Sequence, residues 1–183
     1  MSDLVRVAVD AMGGDYAPVE PVKGAVEAVN ADERVKVQLV GQVDVIEKEL
    51  QKYTYPKERV EIVPATEIIE TGEPPVNAIR HKKDSSIVVG MKKVRYGEAD
   101  AFVSSGSTGA VLVGGQTIVG RIKGVERPPL APLIPTKDGV SLLIDCGANV
   151  DARPSHLVQF AMMGSIYICL LYTSPSPRDL STS

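Results

Sequence analysis

Apolar runs of strand length alternate with apolar stripes of helical spacing along most of this chain. Residues 5–9, Val-Arg-Val-Ala-Val, read as a first strand. It runs into a polar, glycine-rich turn, Asp10-Ala11-Met12-Gly13-Gly14-Asp15. Pro18 and Pro21 follow near a helix start, where proline is tolerated, and Val22, Ala25, Val26 and Val29 give that helix an apolar face. Residues 35–40 read as a second strand, 43–53 as a helix with Val45, Ile46 and Leu50 inward, and 60–63 as a short third strand. The loop Thr71-Gly72-Glu73-Pro74-Pro75 leads to a helical start near Val76, and 87–96 again have helical spacing. Ala101-Phe102-Val103 reads as a buried strand, and the glycine-punctuated run 111–122 as the helix after it. Leu133-Ile134-Pro135 and 140–144 are strand-like around the turn Lys137-Asp138-Gly139. Pro154 opens a helix running to about Ile166, in which Met162 and Met163 read as core.

Strands that alternate with helices imply right-handed βαβ units, hence an α/β fold with a largely parallel sheet. In such sheets ligands bind outside the carboxyl ends of the strands. Three polar, glycine-containing stretches follow predicted strands: 10–15, 104–109 and 145–149. If all three strands are parallel, all three stretches share one edge.

The middle stretch, Ser104-Ser105-Gly106-Ser107-Thr108-Gly109, joins a strand to a helix. The first N–H groups of a helix lack partners within it, the dipole favours negative charge there, and small residues admit an anion. A phosphate-handling turn is one reading, and an ordinary turn capped by Ser or Thr is the other. It is no Walker loop, because no Gly-Lys-Ser/Thr follows, and Gly13-Gly14 lacks the third glycine of a dinucleotide fingerprint. No His or Lys adjoins Ser107 or Thr108 to activate a nucleophile. Lys82, Lys83, Asp84, Ser85 and Ser86 combine ammonium and hydroxyl groups that suit an oxyanion, or form a solvated helix end. Asp10 and Asp15 could orient a substrate or accept a proton, yet carboxylates repel phosphate unless they face away from it. Asp145, Asn149 and Asp151 with Arg153 form the third group, with the Asn149 amide as a donor to a carbonyl or phosphate oxygen and Asp151 as readily a structural turn residue. Cys146 reads as a small buried hydrophobe, and His81 and His156 as structural or solvated.

Composition narrows the classes. The chain has 183 residues, 44% hydrophobic and 23% charged, which suits a globular domain. A net charge of −3, no Trp and two Phe argue against nucleic-acid binding. The two cysteines, Cys146 and Cys169, have no metal-ligand spacing and suggest no disulfide framework, which points to a reducing, cytoplasmic compartment. No apolar run reads as long and unbroken enough to span a bilayer. After Tyr167 periodicity stops and Ser, Thr and Pro dominate, so 168–183 resembles translated adapter or cloning sequence, with a native disordered tail as the alternative. On this reading residues 1–167 are the N-terminal part of a longer, truncated domain.

Taken together, these residues resemble the bacterial phosphate acyltransferases of the PlsX type. The resemblance is carried by residues 7–18 (Val-Ala-Val-Asp-Ala-Met-Gly-Gly-Asp-Tyr-Ala-Pro), 82–86, 103–110, 127–131, 143–151 and 157–164, in that order. It implies a three-layer α/β/α sandwich similar to phosphotransacetylases and isopropylmalate-type dehydrogenases. It implies transfer of a fatty acyl group from acyl carrier protein to inorganic phosphate, yielding an acyl phosphate for phospholipid synthesis. It further implies a homodimer associated peripherally with the inner face of the cytoplasmic membrane, with no cofactor and no metal. Phosphate attacks the thioester directly, so the site must hold phosphate and stabilise the tetrahedral oxyanion. Under this resemblance Ser105, Gly106, Ser107, Thr108 and Gly109, with Lys82–Ser86, contact phosphate or the thioester oxygen. Asp10, Gly13, Gly14, Asp15, Asp145, Gly147 and Asn149 shape the site, and Lys82, Lys83 and Asn149 are the candidate catalytic groups. Family members often carry Asn at the position of Ser107. Alternatives are a phosphotransacetylase-like enzyme using coenzyme A thioesters and a non-catalytic anion-binding fragment.

Overall fold

A computed structural model describes residues 4–137, 139–149 and 151–173. The chain divides into two units, one ending at Gly120 and one beginning at Arg121. The first unit runs β1 (Val5–Asp10), α1 (Val19–Ala31), β2 (Val35–Gly41), α2 (Val43–Leu50), β3 (Val60–Pro64), α3 (Pro75–His81), α4 (Ser86–Arg95), β4 (Ala101–Val103) and α5 (Thr108–Gly114). Its four strands form one parallel sheet in the order β3-β2-β1-β4. Val7 of β1 stands opposite Val37 on one side and Ala101 on the other.

Successive strand residues point to opposite faces, and both faces here are covered. Val9, Val35, Val37, Leu39, Val60 and Ile62 pack against α1 and α2, where Val22, Ala25, Val26, Val29, Ile46 and Leu50 are buried. Ala8, Val40 and Val63 pack on the other face with Val89 and Val94 of α4 and with Phe102. A third cluster joins α3, α4 and α5 through Ile79, Ile87, Val88, Met91 and Ala110. The parallel sheet read from the pattern, and the α/β/α layering that the resemblance implies, are therefore present in this unit.

Two expectations need correction here. β4 is not buried: among the described residues it pairs only with β1, and Val103 is 53% exposed. Only Phe102, the middle residue, turns toward the helical cores. The helix expected over 111–122 begins at Thr108, closes its α-helical part at Gly114 and widens into a π-type segment over Gly115–Val119. Gly120, at φ 99°, ends it, so Ile122 lies outside.

The second unit contains an antiparallel pair, β5 (Leu133–Thr136) with β6 (Gly139–Leu142), and helix α6 (Pro154–Thr173). Asp138, in the turn read from sequence, lies outside the described residues. α6 continues past the expected end near Ile166. Of the stretch read as a non-native tail, residues 168–173 are helical and 174–183 lie outside the described residues. Met162 is not core but 62% exposed, because the buried face of α6 carries His156, Phe160 and Gly164 at four-residue spacing. The expectation that no run could span a bilayer also changes. Pro154–Leu171 is helical, free of charged residues, and long and apolar enough to cross a membrane by length and composition. Gly164 and Ser165 interrupt the apolar run without interrupting the helix.

Leu39 is fully buried at the middle of the sheet, so Leu39→Ala should lower unfolding free energy by about 2–5 kcal/mol in a denaturant titration. Asp32, which ends α1, accepts from the Arg34 side chain and backbone N–H, and the guanidinium hydrogen bond is the main reason its pKa falls from 3.8 to about 2. A depressed carboxylate stabilises the fold above its ordinary pKa and loses that effect as pH falls through the folded value. The difference in melting temperature between wild type and Asp32→Asn should therefore shrink as pH drops from 3.8 toward about 2.

Candidate functional site

β1 and β4 are parallel neighbours, with Val9 opposite Val103. Their carboxyl ends therefore release the 10–15 turn and the 104–109 turn side by side. Asp10, the last residue of β1, is 1% exposed. Its Oδ2 accepts from Ser104 Oγ at 2.7 Å, and its Oδ1 accepts from the Met12 N–H at 3.1 Å. Ser104 Oγ in turn accepts from the Gly106 N–H at 3.0 Å. One carboxylate and one hydroxyl thus clasp the two turns together.

The glycines make this clasp possible. A Cβ on Gly13 would lie 2.3 Å from Asp10 Oδ2 and 2.9 Å from the Gly106 nitrogen. Gly14 has φ of +100°, a conformation that side chains other than glycine rarely adopt. The two turns border a cleft of about 380 Å³. Gly13, Gly14 and Asp15 line one side, Ser105 and Gly106 another, and Thr71 enters from the loop before α3. Glu20 and Pro21, at the start of α1, complete the rim. Among the described residues no Lys or Arg lines the cleft and the carboxylates Asp15 and Glu20 do, so its donors toward an anion are backbone N–H groups and hydroxyls. The Asp10 carboxyl is already turned inward onto Ser104 and Met12.

The other hydroxyls of the 104–109 turn divide their work. Ser107 is buried and caps α5, accepting from the Ala110 N–H at 3.3 Å. Thr108 and Ser105 are exposed, and Ser105 faces the cleft. Gly109 stands against Pro75, the first residue of α3.

The 82–86 stretch is an architectural junction in this structure. Lys82 Nζ donates to the Ile68 carbonyl at 2.6 Å and pairs with Glu73, whose pKa it holds below the usual carboxylate range, assisted by the Glu70 N–H. Glu73 Oε1 also accepts from the Glu70 N–H, so the Lys82 ammonium closes the loop that carries Thr71 to the cleft. Lys83 Nζ donates to the Ile79 carbonyl at 3.1 Å. Asp84 accepts from the hydroxyl and N–H of Thr66, in that order the causes that keep it low. Ser85 is fully buried, caps α4 by accepting from the Val88 N–H, and donates to the Lys82 carbonyl. Ser86 is buried in the first turn of α4, and its N–H donates to the Glu67 carbonyl.

The third group belongs to the second unit. Because β6 pairs antiparallel with β5 in a separate two-stranded sheet, 145–149 does not follow a strand of the parallel sheet, contrary to the expectation of one common edge. Asp145 organises its own turn. It accepts from the N–H groups of Leu130, Ala148 and Asn149 and from the Asn149 side chain. Burial pushes its pKa up, but these donors, led by Leu130, outweigh that and hold it below the usual range. The Asn149 amide also donates to the Pro128 carbonyl at 3.3 Å, so it ties the Arg127-Pro128-Pro129 loop to this turn. Gly147 supplies φ of +83° there. Cys146 is half-buried, and its N–H donates to the Leu130 carbonyl. His156 is buried and structural: its Nδ1 accepts from the Arg153 N–H at the start of α6, and Nε2 meets Glu126 at 2.9 Å. His81 is exposed, with Nδ1 against the Asn77 carbonyl.

Sequence reasoning missed Ser104 as the partner of Asp10, and Thr71, Glu20 and Pro21 as lining residues. The signal for Ser104 was its place directly after β4, one strand from Asp10. Thr71 was signalled only by a Gly-Pro loop.

A parallel α/β sheet with two glycine-rich turns clasped at its carboxyl edge defines the class of this chain as an α/β domain with an edge cleft. The family model described as "Fatty acid synthesis protein" matches residues 5–180, and the chain belongs to that family. A phosphate acyltransferase from Alkaliphilus oremlandii is 51% identical over 164 residues, 89% of this chain and 48% of that protein. One from Clostridium beijerinckii is 49% identical over 173 residues, 94% of this chain and 52% of that protein. The chain thus spans about half the length of the curated relatives it matches. Its fold is similar to a phosphotransacetylase from Streptococcus pyogenes, with a TM-score of 0.65 at 18% identity, over 86% of this chain and 51% of that one. It is likewise similar to the EutD phosphotransacetylase from Staphylococcus aureus, with a TM-score of 0.65 at 19% identity, over 94% of this chain and 55% of that one. The resemblance to phosphate acyltransferases of the PlsX type and the α/β fold it implies are both borne out.

Removing the clasp should loosen the cleft. Ser104→Ala leaves the buried Asp10 carboxylate short of a donor and should cost about 1–3 kcal/mol in denaturant unfolding. Gly13→Ala should cost at least as much, since its methyl would collide with Asp10 and with the backbone at Gly106.

Proposed function

We propose that the intact protein is a phosphate acyltransferase that moves a fatty acyl group from acyl carrier protein to inorganic phosphate. The observation that carries this reading is the match of residues 5–180 to the family, a range that includes the two turns Asp10 and Ser104 hold together. The cleft between them supplies backbone N–H groups and the Ser105 hydroxyl at a carboxyl edge, where α/β sheets bind ligands. In the reaction a phosphate oxygen attacks the thioester carbonyl, a tetrahedral oxyanion forms, and the carbon–sulfur bond breaks. The products are acyl phosphate and the free thiol of the carrier. No enzyme nucleophile is required, so the demands on the protein are positioning and oxyanion stabilisation.

In this reading Gly13, Gly14, Ser105 and Gly106 hold phosphate or the oxyanion. Lys82 acts as a positioning residue, because its ammonium fixes the loop that brings Thr71 to the cleft. The remaining half of the relatives' length carries the rest of the site, and the working protein is a cytoplasmic homodimer held peripherally at the inner face of the membrane.

The test measures phosphate-dependent thiol release from long-chain acyl carrier protein and from acetyl coenzyme A. Specificity for the acyl carrier protein substrate should be at least about tenfold higher. A preference for acetyl coenzyme A would replace this reading with a phosphotransacetylase. Lys82→Met should slow turnover of the same substrate while leaving the fold intact by circular dichroism.

A further inference from the structure

A second cavity, of about 390 Å³, opens directly off the cleft, and the two share Glu20, Pro21 and Ser105. Its floor is Val7 and Val9 of β1, and Val103 of β4 forms a wall. Its roof is the face of α1 that carries Gly24, Ala25 and Ala28. Larger side chains at those three positions would close the space, and their smallness is what leaves it open. A Cβ built on Gly24 meets nothing within 4 Å. Away from the mouth its lining is hydrocarbon, with Val35 and Val37 of β2 beside the valines of β1. Of its two carboxyls, Asp10 is turned onto Ser104 and Met12, and Glu20 stands at the mouth shared with the cleft.

We propose that this groove is the subsite for the hydrocarbon chain of the acyl group. The inference rests on the acyl-transfer reading above. The donors that would hold a phosphate or a carbonyl oxygen lie at the mouth, and a mainly apolar slot begins at the same Ser105. An amphipathic ligand with a polar head and an unbranched apolar tail fits that order of surfaces, whereas a free phosphate would use only the cleft. The small residues on α1 follow one another along the helix, so the slot runs lengthwise beneath it and away from the cleft. Residue size at positions 24 and 28 then sets how long a tail is accommodated. Burying each further methylene strengthens binding by up to about fourfold.

The test titrates the chain with butyl-, octyl- and dodecylphosphonate by calorimetry. Octylphosphonate should bind at least about tenfold more tightly than butylphosphonate, from the burial of its four extra methylenes. Gly24→Leu and, independently, Ala28→Leu should each abolish most of that gain. Glu27→Leu adds the same bulk at an exposed position of α1 that does not line the groove and should retain it. Thermal melts establish that each variant is folded. A chain-length gain that survives in both filling variants overturns the proposal, because the tail then lies elsewhere. No gain in the wild type overturns it as well. Thiol release from a short-chain acyl thioester, run in parallel on the intact protein, separates the two readings. Activity without a chain-length gain removes the groove alone, whereas phosphonate binding without phosphate-dependent thiol release removes the transfer reading.

Discussion

Asp10 is a carboxylate at the end of the central strand, excluded from water, and satisfied by one hydroxyl and one backbone N–H. A buried carboxylate is tolerated only where donors meet it, so its presence fixes where Ser104 must stand. Ser104 then fixes Gly106, and the closeness of Gly106 leaves no room for a side chain at Gly13. The cleft is the gap that remains once those four residues have found one another. Its geometry is therefore inherited from the interior of the sheet and not from the flexibility of two loops.

The hydroxyl groups around the site show a division of labour that residue type alone conceals. Ser104, Ser107 and Ser85 all satisfy the protein's own backbone or carboxylate groups. Ser105 is the one that faces the cleft. The lysines follow the same logic. An ammonium beside a glutamate and a carbonyl is already neutralised and directed, so Lys82 shapes a loop where its charge alone would suggest an anion ligand. An acyl transfer that proceeds without an enzyme nucleophile is compatible with such a site, because most of what it requires is rigid placement.

Much of the first unit was legible from residue pattern. The valines of β1 and β2 and the 22-25-26-29 stripe of α1 specify burial on one face directly, since the periods 2.0 and 3.6 differ enough to be told apart. The exposure of β4 was not legible. Three apolar residues look the same whether a strand is central or at an edge, and only pairing decides. The pairing direction of β6 was equally hidden, because a strand's own residues do not state whether its neighbour runs with it or against it. The reading of Met162 as core failed for a related reason. In a helix that is apolar all round, periodicity does not mark the packed side, and it took Phe160 and His156 to define it. At the site, glycine positions announced the turns, but which serine would cap and which would face the cleft depended on atoms 94 positions apart meeting in space.

That separation has a consequence for how the cleft comes into being. β1, α1 and β2 are consecutive, and their shared core can form from nearby segments. The bond from Asp10 to Ser104 spans 94 positions of chain, so it forms only after β3, α3 and α4 have been laid down and β4 has taken its place beside β1. Long-range parallel pairing is slow because loop entropy must be surrendered before any contact compensates for it. A chain that has emerged only as far as α4 lacks β4 and the 104–109 turn, so it has no cleft. The cleft therefore arrives late, as a property of the closed sheet, and the Asp10–Ser104 contact would report that closure better than any measure of helix content.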